Sequence, residues 1–166
     1  MLLAQKIRVI SGLKKMLFQI KSYLKFLWKS KNAHGIHSPF VFDLVTKCFY
    51  DQTNYREYGV LRNYRNSLLQ NTNTIEVTDF GAGSKVFKSN TREISKIAKT
   101  AGITSKNAEL LFRIANYFQP EKVLEIGTSL GLATSALSLG NKNSKITTLE
   151  GCPETSKAAQ SEFQKF

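Results

Sequence analysis

Several classes of protein are excluded by what this sequence lacks. It has two cysteines, Cys48 and Cys152, set far apart with no partner at disulfide-framework or metal-ligand spacing, which fits a reducing cytoplasm. Three prolines and ten glycines are too few for a collagen-like or low-complexity chain. No apolar run reaches the length of a signal-peptide core or a membrane span, because lysines and arginines interrupt each one. Acid is missing altogether from residues 1–31, where eight bases stand (Lys6, Arg8, Lys14, Lys15, Lys21, Lys25, Lys29, Lys31) and the first acid is Asp43. The rest of the chain holds sixteen bases against twelve acids, so most of the net charge of +12 belongs to that N-terminal stretch. What is present in quantity is apolar: 42% of the 166 residues are hydrophobic and 11% aromatic, enough to build a core and to exclude wholesale disorder.

Leu3, Ile7, Ile10, Leu13, Leu17, Ile20, Leu24 and Leu27 recur at steps of three and four and predict one stripe along a long amphipathic helix, with a weak point at Gly12 and most lysines on the other side. Packing on the rest of the protein is the first expectation for that helix. The second is an anionic membrane surface or acidic partner, because Phe18, Phe26 and Trp28 accompany the lysines. Nucleic acid is disfavoured by the want of a binding motif or aromatic–basic alternation. Gly35 and Pro39 end the helix, and Ser38 is placed to cap another over about residues 39–50. His34 and His37 lie three apart with no Cys or carboxylate cluster beside them, so structural or capping roles are expected, with a substrate-pocket role second, and no metal site is assigned.

Residues 51–74 read as an irregular or partly helical connector, which makes residues 1–74 a helical N-terminal region and 75–166 a second domain. Ile94, Ile97 and Ala98 suggest a short helix within Thr91–Thr100. Thr104 or Ser105 can cap the next, with Leu110, Leu111, Ile114, Ala115 and Phe118 toward a core and Pro120 as its stop. From there the period changes: a strand over Lys122–Ile126, a turn over Gly127–Gly131, a helix over Leu132–Leu139, a β-branched strand over Lys145–Leu149 and a helix opened by Pro153. This is the βαβ pattern of a Rossmann-like, doubly wound α/β sheet, of which the chain holds the first part.

The chemistry concentrates in Glu125-Ile-Gly-Thr-Ser-Leu-Gly131, with Glu150 at the end of the following strand. Glycines at 127 and 131 permit a tight turn and close approach of a ligand. Helix N–H groups are open beyond Gly131, and a carboxylate twenty-three positions after Gly127 can accept ribose hydroxyls. A nucleoside-containing cofactor is therefore expected. The dinucleotide pattern G-x-G-x-x-G fails, since Ser129 and Leu132 stand where glycines belong, and this places a nicotinamide-dependent oxidoreductase third among the functional readings. Asp79-Phe-Gly-Ala-Gly-Ser84 competes for the cofactor role, but no apolar helix and no acid-ended strand follow it at the right distance, so it reads as a structural turn or a loop near the pocket.

Val123-Leu-Glu-Ile-Gly-Thr-Ser-Leu-Gly-Leu-Ala-Thr-Ser135 resembles the first motif of class I S-adenosylmethionine-dependent methyltransferases, in the form common among small-molecule O-methyltransferases. Thr147-Thr-Leu-Glu150 is similar to the second motif. With His34-Gly-Ile-His-Ser-Pro-Phe-Val-Phe42 and Asp79-Phe-Gly-Ala-Gly-Ser84, the order resembles a bacterial group of that superfamily with a helical N-terminal extension. The resemblance implies S-adenosylmethionine as cofactor and transfer to oxygen of a small-molecule acceptor. It also implies that Glu125, Gly127, Thr128, Ser129 and Gly131 contact the methionine part and sugar edge, and that Glu150 binds the ribose. The family's sheet has seven strands, whereas the forty-five residues from Lys122 to Phe166 hold two. A C-terminally truncated chain that carries only the first half of the cofactor site is thus expected, with the acceptor-side residues, any metal ligands and the catalytic base left unassigned. The reading from a different class is a non-catalytic membrane-associated or interaction protein, peripheral to a membrane, that keeps half of the sheet as scaffold. An incomplete parallel sheet would also favour self-association.

Overall fold

A computed structural model describes residues 2–30, 35–79, 83–84 and 86–165, the first fourteen of these by backbone alone. His34, Phe80, Gly81, Ala82 and Lys85 lie outside the described residues, as do the side chains of Leu3, Ile7, Ile10 and Leu13. The chain packs as two units, Met1–Phe42 and Asp43–Phe166.

The first unit is dominated by α1 (Leu2–Lys29), which runs through Gly12 without a break. A single helical glycine costs about 1 kcal/mol relative to alanine, too little to interrupt 28 residues. Every residue from 16 to 30 is exposed, and no described helix is long and apolar enough to cross a membrane. Ser38 caps α2 (Pro39–Asp43) as expected, accepting from the Val41 N–H at 3.4 Å. The helix then widens into a π-helical segment, Leu44–Phe49, marked by the Tyr50 N–H reaching the Val45 carbonyl. His37 is exposed.

In the second unit the expected connector contains α3 (Glu57–Gln70), fourteen residues whose Tyr58, Leu61, Tyr64 and Leu68 are buried. It packs on α4 (Ile94–Thr100), α5 (Ser105–Phe118) and α6 (Leu132–Gly140). Thr91–Glu93, expected to be helical, forms strand β2 and pairs antiparallel with β1 (Thr74–Glu76); α4 starts only after it. Thr104 caps α5, accepting from the Asn107 N–H at 3.3 Å. The face of α5 is partly rotated from the expected one: Ala115 is buried as expected and Leu111 packs against the core, but Ala108 and Phe112 take the other buried positions while Leu110, Ile114 and Phe118 are half-buried. The Phe112 ring meets Tyr55 at a tilt and Tyr58 edge-on, and this aromatic cluster draws the helix round.

The βαβ unit lies where the sequence places it. β3 (Lys122–Ile126) and β4 (Lys145–Leu149) run parallel, with Glu125 opposite Thr148 and Ile126 opposite Leu149, and α6 connects them. A Cβ on Gly140 would lie 2.5 Å from the Phe112 carbonyl oxygen and 2.7 Å from the Ala115 Cβ, so this glycine sets how closely α6 approaches α5. α7 (Pro153–Phe163) follows with proline in its first turn and lies against β1. Among its described residues the second unit is thus a mixed α/β arrangement with two small sheets and one parallel pair.

Candidate functional site

Both strands of the parallel pair end at one place. The Gly127 and Thr128 N–H groups donate to the Leu149 carbonyl at 2.8 and 3.2 Å, which ties the turn after β3 to the end of β4. Three residues of that turn are left-handed: Gly127 (φ 94°), Ser129 (φ 49°) and Gly131 (φ 80°). Ser129 has no glycine's freedom, and this conformation is uncommon for it. It is held there by Glu150, whose Oε2 accepts the Ser129 N–H at 2.8 Å while Oε1 accepts the Cys152 N–H at 3.0 Å. Glu150 therefore fastens the turn after β3 to the start of α7.

Glu125 is engaged elsewhere. Its Oε2 accepts the hydroxyls of Thr148, at 2.7 Å, and Thr134, and the Thr128 and Thr148 hydroxyls meet at 2.6 Å. The carboxylate thus sits between β4 and the first turn of α6, within a small hydroxyl network. Thr128 is buried.

Two cavities open on the turn. One, about 280 Å³, brings Ser129 and Glu150 together with Asp79, Phe87, Arg92 and Cys152. The other, about 80 Å³, is lined by Gly127, Thr128 and Ser129 together with Arg65, Leu68 and Gly102. Ser129 and Ala101 line both. Of the six residues expected to hold a cofactor, four therefore face these cavities: Gly127, Thr128, Ser129 and Glu150. Glu125 lines neither. Gly131 serves packing, since a Cβ there would fall 2.4 Å from the Phe163 ring and 2.9 Å from the Tyr64 hydroxyl. That hydroxyl donates to the Leu130 carbonyl at 2.9 Å and steadies the turn from below. Burial first, and the Glu162 carboxylate second, hold the Tyr64 phenol far above its ordinary pKa, so it stays protonated and donates. A larger cavity of about 380 Å³, where α3, α6 and α7 converge, offers the hydroxyls of Tyr64, Thr134, Ser135 and Ser138 but no charged group.

The wall opposite Glu150 comes from the loop after β1. Asp79 pairs with Arg92 at 3.4 Å, and the Arg92 guanidinium lies 4.9 Å from the centre of the Phe87 ring. The sequence reading of this loop as a turn near the pocket agrees with where Asp79 lies. Burial alone would push the Cys152 thiol up. Hydrogen bonds from the Thr155 hydroxyl and from the backbone amides of Thr155, Thr78 and Glu154 outweigh it and leave the thiol below its ordinary value. Among the described residues no group of three His, Cys, Asp or Glu side chains could hold a metal ion.

Arg65, Arg92 and Cys152 line these cavities from outside the sequence motifs. Arg65 could be found only once residues 57–70 are known to be helical, and Arg92 only through its pairing in β2. Cys152 follows Glu150 by two residues, a signal that was present in the chain. No protein-family model, curated protein or solved structure matches this chain.

Proposed function

We propose that this chain binds S-adenosylmethionine through the turn after β3, as the cofactor-binding part of a Rossmann-like methyltransferase that acts on oxygen of a small molecule. The observation that carries the reading is that the Gly127–Ser129 turn and Glu150 line two neighbouring cavities, which meet at Ser129, at the carboxyl ends of two parallel strands. Ligands of open α/β sheets sit there. A carboxylate has about four acceptor sites, so Glu150 can hold its two backbone N–H groups and still accept from ribose hydroxyls. Its position also weighs against a dinucleotide. Such cofactors place a pyrophosphate on the amides of this turn, and here the Ser129 amide already faces a carboxylate, which would repel the phosphates. A nucleoside with a sulfonium centre carries no such conflict. The protein's part in an in-line methyl displacement is mainly alignment of donor and acceptor, and no residue is assigned as base.

Saturation-transfer NMR with S-adenosylhomocysteine tests the reading. Binding is expected, with loss in Gly127→Arg, whose side chain would enter the cavity, at an unchanged fold by circular dichroism. No transfer to the parent chain, or equal transfer to NAD, would sink it.

A second reading, compatible with the first, concerns α1. Leu17, Ile20, Leu24, Leu27 and Trp28 are all exposed, Trp28 at 91%, and Lys21, Lys25 and Lys29 border them without a single acid in residues 1–31. That combination suits the headgroup region of an anionic bilayer. Each base near such a surface contributes about 1 kcal/mol. Neutralising Lys14, Lys15, Lys21 and Lys25 to Gln should thus weaken binding to phosphatidylserine-containing vesicles about a thousandfold. Trp28, the only tryptophan, should shift its emission to the blue on vesicles containing phosphatidylserine and not on phosphatidylcholine alone. No shift, or one indifferent to lipid charge, overturns this reading.

A further inference from the structure

Among the described residues, one cation beside the glycine turn has a buried donor without a partner. Arg65 projects from α3 into the 80 Å³ cavity shared with Gly127, Thr128 and Ser129. Its Nε is enclosed and makes no hydrogen bond, and among the described residues Arg65 forms no ion pair. The other partly buried arginines of this unit are satisfied. Arg113 donates to the Cys48 carbonyl at 2.6 Å and to the Tyr58 hydroxyl at 2.9 Å, and Arg92 pairs with Asp79. The acids nearest the turn are already engaged, Glu125 by the Thr134 and Thr148 hydroxyls and Glu150 by the Ser129 and Cys152 amides. An enclosed donor without an acceptor works against folding. The arrangement becomes favourable when an anion enters the cavity.

We propose that Arg65 receives the carboxylate of the ligand that lies across the turn, and so fixes which way round that ligand binds. This rests on the cofactor reading above and deepens it. The guanidinium fork matches a carboxylate with two parallel hydrogen bonds. The cavity has room for only a few water-sized groups, which suits an amino-acid head and not a nucleoside. The 280 Å³ cavity beside Glu150 has the room for the nucleoside. Ser129 and Ala101 border both spaces, so a ligand crossing at Ser129 places its ribose at Glu150 and its carboxylate at Arg65. The sulfur lies between them, over the turn. Orientation is then set by charge: reversal would put the carboxylate against Glu150 and leave Arg65 unpaired.

Two ligands that share the nucleoside thioether separate the possibilities. S-adenosylhomocysteine carries the amino-acid head, and 5′-deoxy-5′-methylthioadenosine lacks it. Arg65→Gln should weaken the first about ten- to a hundredfold, the range of charge-assisted hydrogen bonds, and leave the second unchanged; Arg65→Lys should restore part of the loss. The melting temperature of ligand-free Arg65→Gln should equal or exceed that of the parent, since no bonded partner is lost. Equal weakening of both ligands, or a lowered melting temperature, would make Arg65 a structural residue and overturn the assignment. Indifference of both ligands to Arg65→Gln overturns it while leaving the cofactor reading intact. Failure of the parent chain to bind either ligand overturns both.

Discussion

Gly127 and Gly131 sit in one turn and are glycine for different reasons. Both have positive φ, so a side chain at either meets backbone strain of about 1–2 kcal/mol. At Gly127 a Cβ would have nothing within 4 Å. Space there is kept for whatever occupies the cavity. At Gly131 a Cβ would press into the Phe163 ring and the Tyr64 hydroxyl, and overpacking adds about 1–3 kcal/mol. Gly131→Ala should therefore lower stability by about 2–5 kcal/mol in urea unfolding. Gly127→Ala should lower it by no more than about 2 kcal/mol, yet weaken S-adenosylhomocysteine more strongly than Gly131→Ala does in whatever fraction remains folded. If the two variants changed stability and binding in the same proportion, the division of the turn into a ligand side and a packing side would be wrong. The same division explains why motif matching gave Gly131 a contact with the ligand: spacing records that a glycine is needed, and only the packing shows against what.

Among the elements, those that carry an apolar or β-branched run of their own were legible. β3, α6 and β4 announce themselves because a period-two apolar run, a glycine turn, an Ala-rich helix and a β-branched run follow each other directly; the observed strands match the expected Lys122–Ile126 and Lys145–Leu149. Elements that tertiary contacts define, with no such run of their own, were not. α3 buries two tyrosines among its four core positions, and a reading that counts aliphatic residues alone sees Asn, Arg and Tyr and no stripe. β2 is three residues long and exists because Thr74–Glu76 lies beside it, an arrangement no local propensity encodes. The rotation of α5 has the same origin, since Phe112 finds its ring partners fifty-odd positions earlier at Tyr55 and Tyr58. The candidate site divides likewise. Gly127, Thr128, Ser129 and Glu150 were legible from a short motif and a known spacing. Arg65 and Arg92 reach the cavities from α3 and β2, the elements that the sequence hid.

For the molecule as a whole, the decisive feature is the bare side of the parallel pair. Val123, Glu125, Ile146 and Thr148 are half-buried, and Glu125 meets Thr134 of α6 on that side. On the opposite side Leu124, Ile126 and Leu149 are 64, 82 and 54% exposed. Parallel strands are ordinarily covered on both faces, and among the described residues β3 and β4 pair only with each other, which leaves both edges open as well. Covering a large aliphatic side chain contributes about 1.5–3 kcal/mol, so three adjacent ones favour a second copy over this face when nothing else lies over them. Sedimentation velocity across a concentration series should show the mean mass rising above 18.7 kDa, and Ile126→Lys should hold it there, because a lysine in the middle of the patch removes the apolar contact and adds repulsion between copies. α1 and the open strand edges offer separate routes to association, and the comparison distinguishes them from the sheet face: self-association that persists unchanged in Ile126→Lys would assign it to the helix or the edges and leave the face without a role. A parent chain that stays at its monomer mass would count against all of these as sites of self-association. The lysine row of α1 would then account for that outcome at the N-terminus, since like charges oppose the pairing of two such helices while leaving each free to meet an anionic surface.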